Sequence, residues 1–286
     1  MADLLRLIEK LSVLVFLVGS MLSLGLTLTP RTIMAPLRDL RLVLVALGLN
    51  FVIAPAFARA VTLVIPPDPS HAIGLLLLGG AAGAPFLPRV VKAAHGNATV
   101  AAALVALLTF GTIIFIPFAL PLMIPGLHAD AWGLARPLVF FIFVPLAVGM
   151  LLRGCAAGAA ERAAPVLSVI GNVALLLVFG LLIALNFRAL LGILGSFIVI
   201  AAVLYFTGLL LISWIVSATI PAARGELTLA TTGRNFGAAI APAAGSFNDP
   251  EITTMIFVGA VVCLALSFGA ARWLRHRSPA GQPVPA

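Results

Sequence analysis

TLATTGRNFGAAIAPAA, residues 228–244, decides the fold. A bilayer-spanning helix needs about 17–25 mostly apolar residues, and this stretch is long enough. Yet it holds Gly233, Gly237 and Pro242, with Thr231, Thr232, Arg234 and Asn235 near its middle. A charge at that depth costs about 2.5–3.5 kcal/mol on insertion scales, which makes a membrane-embedded arginine a functional-site candidate by default. Upstream lies a second stretch of the same kind, LLGGAAGAPFLPRVV at residues 77–91, with Gly79, Gly80, Gly83, Pro85, Pro88 and Arg89. Two hydrophobic segments interrupted at matching places in the two halves of a chain point to a transporter's binding site.

The rest of the composition agrees. The chain is 62% hydrophobic and 9% charged, with a mean hydropathy of +1.21. No soluble core of 286 residues hides that much apolar surface, so the reading is an all-α polytopic membrane protein. The net charge of +8 does not call for a nucleic-acid partner, because the basic residues sit between apolar runs, where topology accounts for them. Asp3, Glu9, Asp39, Asp68, Asp130, Glu161, Glu226, Asp249 and Glu251 all fall in or beside polar connections. Cys155 and Cys263 show neither disulfide nor metal spacing. The first apolar run lacks a cleavage signature and reads as a retained helix.

Apolar runs of spanning length predict nine transmembrane segments at residues 11–28, 40–65, 71–94, 98–124, 132–152, 165–187, 193–220, 227–247 and 252–273. The third and eighth are the interrupted ones, with Pro85, Pro88, Gly233 and Gly237 as the expected helix breaks. Their spacing fits an inverted repeat in which the two broken helices cross. Unpaired backbone at that depth is tolerated only inside protein or beside a wet cavity. Residues 1–275 read as one transmembrane domain, and residues 276–286 as a disordered, Pro-rich cytoplasmic tail. Cytoplasmic loops retain Lys and Arg. With the C-terminus inside, ten basic residues, among them Arg38, Arg41, Lys92, Arg153 and Arg224, fall on the cytoplasmic side against five outside. The expectation is a multi-pass protein of the cell inner (plasma) membrane, N-terminus out and C-terminus in.

Four motifs bring a known family into view: GSMLSLGLTLTP (19–30), LNFVIAPA (49–56), GAAGAPFLPRVVKAAHGN (80–97) and TTGRNFGAAIA (231–241). The chain resembles the bile acid:sodium symporter family, whose fold has crossed, broken helices in an inverted repeat. The resemblance implies secondary transport of an organic anion, and sodium as a coupling ion. It also implies where sodium ligands belong, and there this sequence departs. Leu87 and Pro88 stand at the family's Ser-Asn positions, Ala101 and Val105 at its hydroxyl positions, and Thr231, Asn235 and Phe236 at positions of its acidic and amide ligands. The expectation is a carrier whose sodium coupling is doubtful, with no other cofactor and no metal site.

For the substrate, Arg234 with Thr231, Thr232 and Asn235 is the first candidate. A guanidinium fork matches a carboxylate, and half-helix N-termini present free N–H groups to an anion. The competing reading is that Arg234 fills a vacant cation position by bonding unwound carbonyls. Arg89 contacts substrate or snorkels toward the cytoplasm. Asn50 is a ligand or an interhelical hydrogen bond. Two rival functions use the same chain. One is a non-transporting sensor or scaffold of this fold. The other is a membrane-embedded enzyme, disfavoured because His71, His95, His128 and His276 are scattered and no acidic residue lies within a span.

Overall fold

The computed structural model describes residues 2–65, 68–124, 131–193, 197–247 and 249–277. In chain order the helices are α1 (Ala2–Thr27), α2 (Pro30–Leu37), α3 (Leu40–Gly48), α4 (Ala54–Val64), α5 (Pro69–Gly80), α6 (Leu87–Ala93), α7 (Ala98–Met123), α8 (Ala131–Leu138), α9 (Val144–Cys155), α10 (Ala157–Ile193), α11 (Phe197–Val216), α12 (Arg224–Thr232), α13 (Phe236–Pro242) and α14 (Pro250–Arg277). No strand occurs among the described residues. Seven described stretches are long and apolar enough to cross a membrane. The two interrupted segments of the sequence, α5–α6 and α12–α13, are the helix pairs left over.

Proline shapes two of the spans. Single π turns at Leu49–Ile53 and Val139–Phe143 join α3 to α4 and α8 to α9. Pro55 and Pro145 follow them. A proline has no N–H for the carbonyl four residues back and its ring crowds that carbonyl, so the helix widens by one residue there. Boundaries differ from the sequence reading in three places. α1 starts nine residues before the expected apolar run, because Leu4, Leu5, Leu7 and Ile8 continue it between charges. α10 begins well before Pro165. α14 runs through His276 to Arg277, so these two residues are helical rather than part of a tail; residues 278–286 of the expected tail lie outside the described residues, as does His128.

Small residues set the packing. A Cβ on Gly25 would lie 2.3 Å from Leu146 O, and one on Gly149 2.5 Å from Leu22 O, so α1 and α9 touch backbone to backbone. On the other flank a Cβ on Gly74 would lie 2.7 Å from Ile252 O, which brings α5 equally close to α14. Close approach at Gly is how helices associate in lipid, where apolar burial between them gives little drive. The circumference stays apolar: Val52, Leu63, Phe118, Leu122, Leu151 and Ile215 are exposed on the outer faces. Such a belt is a liability in water and suits acyl chains.

Candidate functional site

The first interruption spans residues 81–86, between α5 and α6. Five successive backbone carbonyls, from Gly79 to Gly83, lie there within reach of side-chain or backbone donors from elsewhere. Gly79 O accepts from Arg234 Nη1 at 3.3 Å. The Thr112 hydroxyl sits 3.4 Å from Gly80 O and 3.1 Å from Ala82 O, and accepts from the Ala82 N–H at 2.9 Å. Ala81 O accepts from the Asn235 N–H at 2.9 Å. Gly83 O accepts from Thr109 Oγ1 at 3.2 Å and Asn235 Nδ2 at 3.1 Å. Gly83 has φ +82°, and a Cβ on it would stand 2.4 Å from Thr109 Oγ1, so both the backbone angle and the close hydroxyl require glycine.

The second interruption, at residues 233–235, is shorter and polar. Gly233 ends α12. Asn235 caps α13, its side chain accepting from the Ala238 N–H at 3.1 Å while its amide donates to the first interruption. The hydrogen bonds just given therefore join the two breaks directly, and the two broken segments meet. Of the expected break residues, Pro85 lies in the first interruption and Gly233 in the second, while Pro88 falls in the first turn of α6. Gly237 is a correction. It lies inside α13, where a Cβ would meet Leu17 Cδ2 at 2.6 Å, so the absence of a side chain serves contact with α1 rather than a break.

Arg234 is fully buried. Its Nη1 donates to Gly79 O and its Nη2 to Thr231 O, the carbonyls near the C-terminal ends of α5 and α12, and its Nε has no partner. Thr231 Oγ1 accepts from Asn50 Nδ2 at 3.2 Å, and Asn50 Nδ2 also donates to Ala46 O at 2.9 Å, leaving Asn50 Oδ1 unpartnered. Asn50 thus sits in the first π turn and links α3 to α12. Thr232 Oγ1 donates back to Thr228 O at 2.9 Å, and the Cys263 thiol donates to Thr232 O at 3.3 Å. Arg234, Thr231, Thr232, Asn235 and Asn50 form one buried cluster, and Arg89 is apart from it.

Arg89 lies in a cavity of about 550 Å³ between the first interruption and the packed pair α1 and α10. Pro85, Phe86 and Pro88 form one wall, with Phe236 stacked on Phe86 at a centroid distance of 5.7 Å. Ser20 and Ser23 of α1 and Ser168 and Asn172 of α10 face it. Arg89 is exposed into this space, donates to Ser168 Oγ, and belongs to none of the ion pairs among the described residues. Arg153 and Glu161 close one edge as an ion pair at 2.9 Å. A second cavity, about 730 Å³, lies between Arg136, Pro137 and Phe140 and the end of the eighth segment at Gly245 and Ser246; it touches neither interruption. Arg234 lines neither cavity.

Sequence reasoning missed Thr109 and Thr112, whose signal was two hydroxyls three apart on a helix of otherwise apolar character, one turn past the positions inspected. It also missed Ser168 and Asn172, four apart on α10 and hence on one face. Two interrupted helices joined at their breaks inside an otherwise apolar bundle define a helical membrane protein whose broken segments meet in its interior. Residues 14–193 match the model of the Sodium Bile acid symporter family, and the chain belongs to that family of membrane transporters. The match ends before α11, so α12, α13 and Arg234 lie outside it. No curated protein matches the chain.

Proposed function

We propose that the protein is a secondary transporter that moves an organic anion across the cell inner (plasma) membrane by alternating access. The anion binds in the cavity beside the first interruption, with its acidic group on Arg89 and its apolar part against Phe86, Phe236 and Phe16. The single observation that carries this reading is Arg89: a guanidinium exposed into a partly open cavity of about 550 Å³, without a carboxylate partner among the described residues, amid hydroxyl, amide and aromatic neighbours. Cavities of about 300–1,000 Å³ with few convergent polar groups are what small ligands occupy. A fixed guanidinium supplies both the charge and a two-pronged donor for a carboxylate. The N-terminus-out orientation expected from loop charges would make this the cytoplasmic cavity, since Arg153 and Glu161 mark its edge. We assign the chain no catalytic role, in keeping with a family described as symporters.

The test is flux in proteoliposomes loaded with one organic anion and challenged with labelled anion outside, comparing wild type with Arg89→Gln. Exchange by wild type and its loss in the variant support the proposal. Undiminished exchange by Arg89→Gln removes the assigned contact. Anion binding without any flux would instead favour a sensor or scaffold.

A further inference from the structure

Arg234 poses a question that the anion cavity leaves open: why an isolated positive charge is buried where two helices end. The ion pairs among the described residues are His71 with Asp68 and Glu251, and Arg153 with Glu161, so Arg234 is in none of them. Its two Nη groups meet Gly79 O and Thr231 O instead. Those carbonyls belong to the C-terminal turns of α5 and α12, where each helix presents about half a negative charge. Two such ends facing one point create a cation site from backbone alone, and broken-helix carriers hold monovalent cations between unwound carbonyls and half-helix C-termini.

We propose that Arg234 is itself the cation of this crossing, a permanent tethered charge in the position that a dissociable ion would need. The sodium implied by the family's description does not fit the donors present. Gly79, Ala81 and Gly83 each have a protein donor of their own and Gly80 and Ala82 share the one proton of the Thr112 hydroxyl, neither interruption contains an Asp or Glu, and the positive charge is already supplied. A guanidinium on its own backbone cannot leave, so it holds the two breaks together in every stage of a cycle and couples no ion gradient through this point. The inference goes beyond the anion-carrier reading and stands without it, because its consequences are visible in the resting protein.

The test is thermal unfolding of purified protein in sodium chloride and in choline chloride at equal ionic strength. Wild type should melt within about 1 °C in the two salts, whereas a linked sodium equilibrium would separate them by about 3 °C or more. Arg234→Ala should melt lower than wild type and recover selectively in low millimolar guanidinium or in sodium, but not in choline or urea. Arg234→Lys keeps a tethered cation and should retain the indifference to sodium. Sodium-specific stabilisation of wild type overturns the proposal. So does an Arg234→Ala protein as stable as wild type, or one that is weakened without any cation response, which is what a packing role would give. If Arg234→Ala does not fold, Arg234→Lys decides: a folded, sodium-indifferent protein supports the tethered cation, and an unfolded or sodium-responsive one overturns it.

Discussion

The two interruptions solve the same physical problem in opposite ways. The first, residues 81–86, is long and built of Ala, Gly, Pro and Phe, so it brings backbone acceptors and no polar side chain of its own. The second, residues 233–235, is short and brings donors: the Arg234 guanidinium, the Asn235 amide and the Asn235 N–H. An unpaired polar group buried in a membrane costs several kcal/mol, so neither break is tolerable alone. Each supplies most of what the other lacks, with Thr109 and Thr112 of α7 adding to the set and Arg234 Nε left over. The lesson is that the crossing behaves as one unit of acceptors from one half and donors from the other.

The comparison predicts a graded series of effects. Gly83→Ala should be the most damaging, because it adds a Cβ 2.4 Å from Thr109 Oγ1 at φ +82°; a loss of about 3 kcal/mol or more, or failure to accumulate folded protein, is expected in thermal unfolding. If Gly83→Ala folds normally, the acceptor-rich break is not held as described. Thr112→Val keeps the shape but removes the partner of the Ala82 N–H and of one neighbouring carbonyl, which should cost about 1–3 kcal/mol per orphaned group in the same measurement. Thr109→Val should cost less, since Gly83 O keeps the Asn235 amide at 3.1 Å.

Arg89 sharpens the contrast in the other direction, because it belongs to the cavity and not to the crossing. Arg89→Ala should leave the melting temperature nearly unchanged while weakening anion affinity by about 10- to 100-fold, the scale of a charged hydrogen bond, as read by ligand-induced thermal shift. The smallest effect concerns the N-terminal end of the first broken segment, where Ser70 donates to Asp249 at 2.5 Å. That hydroxyl, and the Glu251 N–H after it, hold the Asp249 carboxyl below its ordinary range. The sign follows from the lowered folded pKa. The contribution is complete above the unfolded value of about 3.9 and is lost as pH falls through the lower folded value. Melting of Ser70→Ala against wild type should therefore differ slightly near neutral pH and converge in strong acid. Because Asp249 is only partly buried, screening keeps the difference small.

Much of this was legible in the residues. Continuous apolar runs of about 20 residues become helices in lipid, because a helix bonds its own backbone within the run whereas barrel strands are shorter and alternate in polarity, so the helical membrane class followed from hydropathy. Glycine, proline and polar clusters inside two of those runs located both interruptions to within a few residues, although Gly237 belongs to helix packing. The side-chain assignments were less legible. Arg234 and Arg89 look alike in sequence, each a lone arginine in a broken span. Only the folded chain separates them, because one guanidinium bridges a carbonyl 155 positions away and one three residues back and the other turns toward a space walled by α1 and α10. Thr109 and Thr112 carried only the faint signal of two hydroxyls three apart, since a threonine in an apolar helix reads as filler until the backbone across from it is seen to lack partners. Periodicity and composition act along the chain and fix which stretches are helical and where they fail. Which donor meets which acceptor is set by long-range approach, and that information exists only in the tertiary structure.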